Sequence, residues 1–210
     1  MIVLGIDPGL ANTGYGVVAR DGARLSALDG GVIETSAGLA LERRITTIAL
    51  RIREILSEHE CDAVALEELY FGQNVRTAFA VGHARGVAML VAGEHGIPCF
   101  SYTPQRVKSS VCGHGRADKD QVGRMVQTLL GLSTIPGKDH ASDALAVAIC
   151  HLNGTPLTDA VTRATSRSVA ASGAQGTPLA AAIAKATSRS MAASGAQVSL
   201  RAAALARVAQ

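Results

Sequence analysis

The chain has 210 residues, enough for one domain with a tail or for two small domains. Its net charge of +3 is unevenly distributed, because residues 1–153 carry 14 Lys and Arg against 16 Asp and Glu, whereas residues 154–210 carry 6 against 1. Four widely spaced cysteines and the absence of about 20 consecutive apolar residues argue against a disulfide scaffold and a membrane span, and predict a cytoplasmic protein with reduced thiols.

The N-terminal segment predicts a buried strand that ends in a carboxylate. Residues 2–6 (IVLGI) are apolar apart from one glycine, a pattern typical of a strand covered on both faces. Asp7 follows, and Pro8-Gly9 ends the strand because proline lacks a backbone N–H. Taken alone, Asp-Pro-Gly is explained equally well by a turn and by a functional carboxylate at a strand end.

After Asp7, the pattern of apolar residues predicts four more strands and five helices. The strands are expected at residues 15–20, 23–35, 62–67 and 98–102. The helices are expected at residues 40–58, 74–95, 104–111, 117–132 and 139–152. A hairpin turn at Asp21-Gly22 makes the first three strands antiparallel, and a crossover helix makes the fourth strand parallel to the first. This order predicts an α/β fold with a mixed five-stranded sheet flanked by helices.

Three glycine-containing segments carry more specific predictions. Residues 9–16 (GLANTGYG) predict a turn, and Asp29-Gly30-Gly31 predicts a bulge in the third strand. In the helix at residues 74–95, Gly82 and Gly86 leave one face without side-chain bulk. That face is expected to pack on the chain's own sheet, with a dimer contact as the alternative.

The C-terminal region has a different character. Residues 154–197 are two tandem copies of 22 residues, GTPLTDAVTRATSRSVAASGAQ and GTPLAAAIAKATSRSMAASGAQ, which match at 16 positions. Both copies have almost no large side chains, so they cannot build a hydrophobic core. We expect residues 1–153 to form the folded domain and residues 154–210 to form a basic, largely disordered tail. Weak attraction to phosphates and an inert extension are both compatible with this tail.

Four residues with metal-ligating atoms are expected at one edge of the sheet. Asp7 and Glu67 end parallel strands, and His140 and Asp143 share one face of the last predicted helix. Carboxylates this close repel one another unless a cation compensates. Oxygen ligands favour Mg²⁺, and one imidazole is compatible with Mn²⁺. Two such ions, about 4 Å apart, suit an in-line phosphodiester displacement.

Four motifs, in this order, carry a resemblance to a known family: GIDPG, ALEELYFGQN, VKSSVCGHGRADKDQV and DHASDALA. In order and spacing they resemble the RuvC-type Holliday-junction resolvases of bacteria, which are crossover junction endodeoxyribonucleases with a ribonuclease-H-like fold. The resemblance covers roughly residues 1–153 and excludes the repeated tail. It implies a ribonuclease-H-like nuclease domain.

The resemblance implies a metal site and a DNA-binding surface. The metal-binding positions of the family match Asp7, Glu67 and Asp143, and a fourth position, Asp in some members, is matched by His140. Whether His140 binds metal or transfers a proton stays open. The DNA-contacting residues of the family match Lys108, Lys119 and Tyr70. Further candidates for contacts to the DNA backbone are Asn74, Arg76 and Arg116. Tyr70 is expected to stack at the junction crossover, with Phe71 buried.

The implied protein is a homodimer that makes paired symmetric nicks at four-way DNA junctions in recombination and repair. A two-fold dimer suits a two-fold junction, and a branch-migration motor of the RuvA and RuvB type is the implied partner. Another ribonuclease-H-like nuclease, acting on RNA or branched DNA, is an alternative, as is an inactive junction-binding module. A sugar-kinase-like phosphotransferase is a further alternative, but it needs a second domain for which this chain has no room.

Overall fold

A computed structural model of the chain describes residues 1–68, 75–135 and 139–154, with the backbone alone for residues 75–77. Its strands are β1 (Ile2–Asp7), β2 (Asn12–Asp21), β3 (Arg24–Glu34), β4 (Ala63–Glu67) and β5 (Cys99–Tyr102). Its helices are α1 (Leu41–His59), α2 (Val75–Glu94), α3 (Pro104–Cys112), α4 (Lys119–Leu130) and α5 (residues 139–154). The predicted order of strands and helices is confirmed over these residues.

The five strands form one mixed sheet in the order β3-β2-β1-β4-β5. β1 pairs antiparallel with β2 and parallel with β4, and β4 pairs parallel with β5. Ile6 is the register partner of Leu66, so Asp7 and Glu67 end neighbouring strands side by side. The predicted mixed sheet is therefore confirmed, and β1 lies at its centre.

Alternate residues of the strands belong to two different hydrophobic clusters, one on each face of the sheet. Leu4 and Ile6 of β1 belong to the cluster covered by α1 and α2, whereas Val3 belongs to the cluster covered by α3, α4 and α5. β4 repeats this division, with Ala65 on the α5 side and Leu66 on the α1 side. This period of two places Asp7 and Glu67 on the same face as α5.

Glycines in the sheet allow α5 to lie directly on the strands. A Cβ atom at Gly5 would overlap the Ala144 carbonyl oxygen, and a Cβ at Gly14 would overlap the His140 carbonyl oxygen. A Cβ at Gly16 would lie 2.7 Å from Leu145 Cδ2. The absence of these side chains brings the first turns of α5 against the backbone of β1 and β2.

Two predictions for β2 and β3 are wrong in detail. β2 begins at Asn12, so Gly14 and Gly16 are strand residues and not part of a turn over residues 9–16. The bulge in β3 lies at Leu28 and not at residues 29–31, because Val17 pairs with Asp29 and Val18 with Ala27. Gly30 and Gly31 continue the ladder, where a Cβ at Gly31 would lie 3.0 Å from the Tyr15 hydroxyl oxygen.

The prediction that the glycine face of α2 packs on the chain's own sheet is also wrong. A Cβ at Gly82, Gly86 or Gly93 would meet no atom within 4 Å. The residues of α2 that pack on the sheet are larger: Ala84, Ala88, Val91 and Ala92. Alanine and valine bury more apolar surface than glycine does, so packing through their face stabilises the domain more. The glycines lie on the other side of the helix.

Two further expectations from composition concern cysteines and membrane segments. All four cysteines are free; Cys61 and Cys150 are buried, and Cys99 and Cys112 are half-buried. Burial raises the pKa of the Cys61 thiol to about 11, which keeps it protonated and unreactive. No helix in the described ranges is long and apolar enough to cross a membrane.

Candidate active site

The C-terminal ends of β1 and β4 and the start of α5 bring four predicted residues together: Asp7, Glu67, His140 and Asp143. We call these four residues the edge cluster. His140 Nδ1 lies 2.8 Å from Asp7 Oδ2, and the Asp7 side chain is only 18% exposed. Because the backbone of His140 rests on Gly14, the close approach of α5 to β2 positions this hydrogen bond.

The carboxylates of the edge cluster interact strongly. Burial raises the pKa of Glu67 to about 7, with further contributions from the negative charges of Asp7 and Asp143. Burial also raises the pKa of Asp143, although the ammonium group of Lys119 opposes the rise. The cluster therefore holds more negative charge than its surroundings stabilise, which is the electrostatic condition for binding a cation.

Two lysines face the edge cluster from the neighbouring helices. Lys119 begins α4, and its Nζ lies 3.3 Å from Asp143 Oδ2 and 3.6 Å from Asp139 Oδ2. Burial lowers the pKa of Lys119, but the carboxylates of Asp143, Asp139 and Asp7 outweigh burial and raise it. Lys108 of α3 lines, with Glu67, Asp143 and Lys119, a cavity of about 210 Å³.

Capping residues determine where these two lysines lie. Asp118 accepts a hydrogen bond from the Gln121 backbone N–H at 2.8 Å, and the Gln121 side chain accepts one from the Asp118 N–H at 3.0 Å. This reciprocal pair starts α4 immediately before Lys119. Thr103 caps α3, and Pro104 occupies its first turn. These caps fix where α3 and α4 begin, and thereby fix the positions from which Lys108 and Lys119 project.

The donor set of the edge cluster fits a divalent cation of the Mg²⁺ or Mn²⁺ class. Its three carboxylates supply the oxygen ligands that such ions prefer, and its one imidazole is a nitrogen ligand compatible with Mn²⁺. No three of these residues bring their ligand atoms within 4.8 Å of one another, and Lys119 Nζ lies 3.3 Å from Asp143 Oδ2. The cluster is therefore chemically suited to a metal and more open than a closed structural site.

A different group of potential ligands lies on the opposite face of the sheet. The ligand atoms of Asp29, Glu58 and His59 all lie within 4.8 Å of one another. Arg51 Nη2 lies 3.9 Å from Asp29 Oδ2 and compensates part of this charge. This group is separate from the residues that the sequence motifs predicted.

The remaining predicted DNA-contacting residues are only partly described. Tyr70, Phe71 and Asn74 lie outside the described residues, so their predicted roles stay predictions. Arg76 lies in α2, where its backbone alone is described. Arg116 is exposed between α3 and α4.

Two contacts at the site were not expected from the sequence. Asp139 shares the ammonium group of Lys119 with Asp143. Arg85 of α2 donates from Nη1 to the backbone carbonyl of Glu67 at 2.7 Å. Arg85 lies between Ala84 and Gly86 in a helix whose pattern indicates packing, so no local signal marks it.

Comparison with known proteins agrees with this geometry. The family model described as "Crossover junction endodeoxyribonuclease RuvC" matches residues 3–151. Relatives of that name are 50% identical over 159 residues in Alkaliphilus oremlandii (76% of this chain, 97% of that protein) and 48% identical over 156 residues in Chloroflexus aggregans (74% and 95%).

A solved structure points to the same family. Thermus thermophilus RuvC in complex with a Holliday junction substrate matches with a TM-score of 0.72 and 39% identity, over 75% of this chain and 96% of that chain. This match confirms the predicted ribonuclease-H-like fold. Sequence motifs, sheet topology and overall similarity agree, and the chain therefore belongs to the RuvC family of crossover junction endodeoxyribonucleases.

Proposed function

We propose that the chain is a metal-dependent endonuclease that resolves four-way DNA junctions by paired symmetric nicks, in recombination and repair. The observation that carries this proposal is the edge cluster, whose four side chains lie at adjoining ends of β1, β4 and α5 in the region matched by the family model. Lys108 and Lys119 beside the cluster supply positive charge for the phosphate that is cut.

In this proposal, Asp7, Glu67, Asp143 and His140 hold one or two ions of Mg²⁺ or Mn²⁺. When bound, an ion of this kind would supply Lewis-acid chemistry, which activates a water molecule and stabilises the leaving oxygen of a phosphodiester. His140 donates from Nδ1 to Asp7, which leaves the Nε2 lone pair to bind a metal or to accept a proton. Lys119 exchanges its carboxylate partners for a phosphate oxygen when DNA binds.

The other DNA contacts are assigned by position. Tyr70 is proposed to stack on a base at the crossover, and Asn74 and Arg76 to contact the backbone, because they follow Glu67 closely in the sequence. Arg116 lies three positions before Lys119, the first residue of α4, and is proposed to contact the phosphates next to Lys119.

We infer that a second copy of the chain covers the outer face of α2. Phe79 is 68% exposed, and Leu90 and Met89 are 59% and 48% exposed. The open positions of Gly82 and Gly86 lie between them along the helix and permit close approach of another helix. A two-fold pair would present two edge clusters to the two strands of a junction.

The double variant Phe79→Glu, Leu90→Glu is expected to be monomeric and to nick only one strand per encounter, because two carboxylates cannot be buried in an apolar contact without partners. Light scattering after gel filtration measures the mass, and a plasmid-borne cruciform reports paired cuts. Leu50→Glu, which places a carboxylate at a 53% exposed leucine of α1, is the control. A stable dimer of the double variant would contradict the assignment of this face.

Family membership suggests the cellular setting. A branch-migration motor of the RuvA and RuvB type is the proposed partner, and the bacterial cytoplasm is the proposed compartment. These assignments rest on the bacterial relatives and their common name. The partner would hold the junction open while the two edge clusters reach its strands.

The proposed nuclease domain is residues 1–153, with residues 154–210 as a basic tail. A chain ending at Gly154 keeps the described part of α5. It is expected to fold and to cut junctions within about three-fold of the full-length rate, because physiological salt screens the attraction between the basic tail and phosphates. Circular dichroism and nicking rates measure this. Loss of cooperative unfolding after truncation would contradict the proposed boundary.

The function is tested with the purified protein on a four-way junction, a linear duplex of the same sequence and an RNA/DNA hybrid, each with Mg²⁺ or EDTA. We expect paired symmetric nicks confined to the junction, in Mg²⁺ only. Cutting of the hybrid would instead indicate a general ribonuclease-H-like nuclease. Tight junction binding without cutting would indicate an inactive binding module.

A further inference from the structure

A single guanidinium group connects α2 to the strand end that carries Glu67. Arg85 Nη1 donates to the Glu67 backbone carbonyl at 2.7 Å, and Nη2 donates to Ser101 Oγ at 2.5 Å. Glu67 is the last residue of β4, and Ser101 belongs to the neighbouring strand β5. Arg85 therefore joins α2, β4 and β5 at the residue whose side chain enters the edge cluster.

The partners of Arg85 indicate positioning and not charge neutralisation. No carboxylate among the described residues lies within ion-pair distance of Arg85, and both of its acceptors are uncharged. Arg53 of α1, by contrast, pairs at 2.9 Å with Glu94 of α2, the helix that also carries Arg85. A planar guanidinium presents two donors in a fixed geometry, so binding two acceptors restrains the orientation of both.

Glu67 needs such a restraint because it occupies an unfavourable position. Its side chain is half-buried and lies near the negative charges of Asp7 and Asp143. Repulsion of this kind favours movement of the ionised side chain toward solvent. β4 ends at Glu67, where the N–H of the next residue, Glu68, donates to the Tyr102 carbonyl of β5 at 2.8 Å and the Glu67 carbonyl accepts from Arg85.

We propose that Arg85 is a positioning residue for Glu67. It fixes the final peptide group of β4, and thereby keeps the Glu67 carboxylate in the edge cluster in the arrangement that a divalent cation requires. The inference deepens the proposed nuclease function and rests on it, since it concerns one ligand of the same site. Because Arg85 lies on α2, any displacement of that helix also changes the geometry at Glu67.

The test compares Arg85→Ala, Arg85→Lys and Ser101→Ala with Arg53→Ala as the matched control. We expect Arg85→Ala to weaken Mn²⁺ binding and to lower the single-turnover junction cleavage rate by about 10- to 100-fold, the range found when a group that orients a metal ligand is lost. Calorimetry on the protein without DNA measures Mn²⁺ binding. Junction affinity in EDTA is expected to stay within about two-fold of the original.

Partial rescue distinguishes positioning from a general loss of structure. Lysine keeps the charge but not the two-donor fork, so Arg85→Lys is expected to recover part of the Mn²⁺ affinity, and Ser101→Ala is expected to lose less than Arg85→Ala. Arg53→Ala, which loses an ion pair between α1 and α2, is expected to bind Mn²⁺ as before. If Arg85→Ala does not fold, the lysine and Ser101 variants decide the question.

Unchanged Mn²⁺ affinity in Arg85→Lys and Ser101→Ala, together with unchanged cleavage, would overturn the inference. Equal losses in Arg53→Ala and Arg85→Ala would also overturn it, because a loosened α2 would then explain both. An original chain that binds Mn²⁺ but does not cut junctions would refute the proposed function alone. The role of Arg85 would then be decided by Mn²⁺ affinity.

Discussion

The Asp7→Asn protein is expected to bind four-way junctions normally and to cut them at least about 100-fold more slowly, because a direct ligand matters at least as much as a group that only orients one. Asparagine has nearly the same shape but lacks the charge. The substitution therefore removes one carboxylate from the edge cluster and weakens the hydrogen bond that orients His140. Binding is expected to be retained because, in the proposed function, Lys108 and Lys119 attract the phosphates and the carboxylates do not.

Initial nicking rates in Mg²⁺ and gel-shift affinity in EDTA separate the two effects of Asp7→Asn. Asp139→Asn is the matched control, since it makes the same change at a side chain that is 74% exposed and also contacts Lys119. The control is expected to keep a rate within about three-fold, in line with the small energies of exposed ion pairs. An Asp7→Asn protein that cuts at the original rate would remove the basis for the metal site.

Gly14→Ala is expected to cost about 1–3 kcal/mol of the free energy of unfolding and to lower cleavage strongly. The new Cβ would overlap the carbonyl oxygen of His140. Both groups belong to the backbone, so the overlap is relieved only if α5 moves away from β2. Displacing α5 separates His140 and Asp143 from Asp7. Activity should therefore fall further than stability alone predicts.

Gly30→Ala is the control for Gly14→Ala. It adds the same methyl group within the same sheet, but the nearest atom to the new Cβ is 3.6 Å away, an ordinary contact. Chemical denaturation measures stability, and nicking rates are compared at a temperature where both variants remain folded. Equal effects of the two substitutions would show that α5 is not held against β2 as the structure indicates.

Local patterns were sufficient to predict β1 and α1. The apolar run before Asp7 lies in a fully covered strand, and Ile48, Ile52 and Ile55 are buried at the predicted helical spacing. The parallel orientation of β1 and β4 was predicted from the intervening helix. Because parallel strands end at the same edge of a sheet, Asp7 and Glu67 were expected to be neighbours. These features depend on interactions within a short segment, or on simple rules of chain connection.

Features that depend on distant segments could not be read in the same way. Gly14 and Gly16 looked like turn residues, because the helix that explains them begins more than a hundred residues later in the chain. Arg85 carried no signal in the sequence, since its acceptors lie on the distant strands β4 and β5. Glycine and arginine have several structural uses, and only the three-dimensional neighbours distinguish them.

The alternation along β1 constrains how this strand can change length during evolution. Val3, Gly5 and Asp7 face α5, while Leu4 and Ile6 face α1. Inserting or deleting one residue inside the strand would place the Asp7 carboxylate on the other face of the sheet and turn a leucine or isoleucine toward the backbone of α5. Within β1, only insertions or deletions of an even number of residues keep each side chain on its own face of the sheet. The connection between β1 and β2 is not limited in this way.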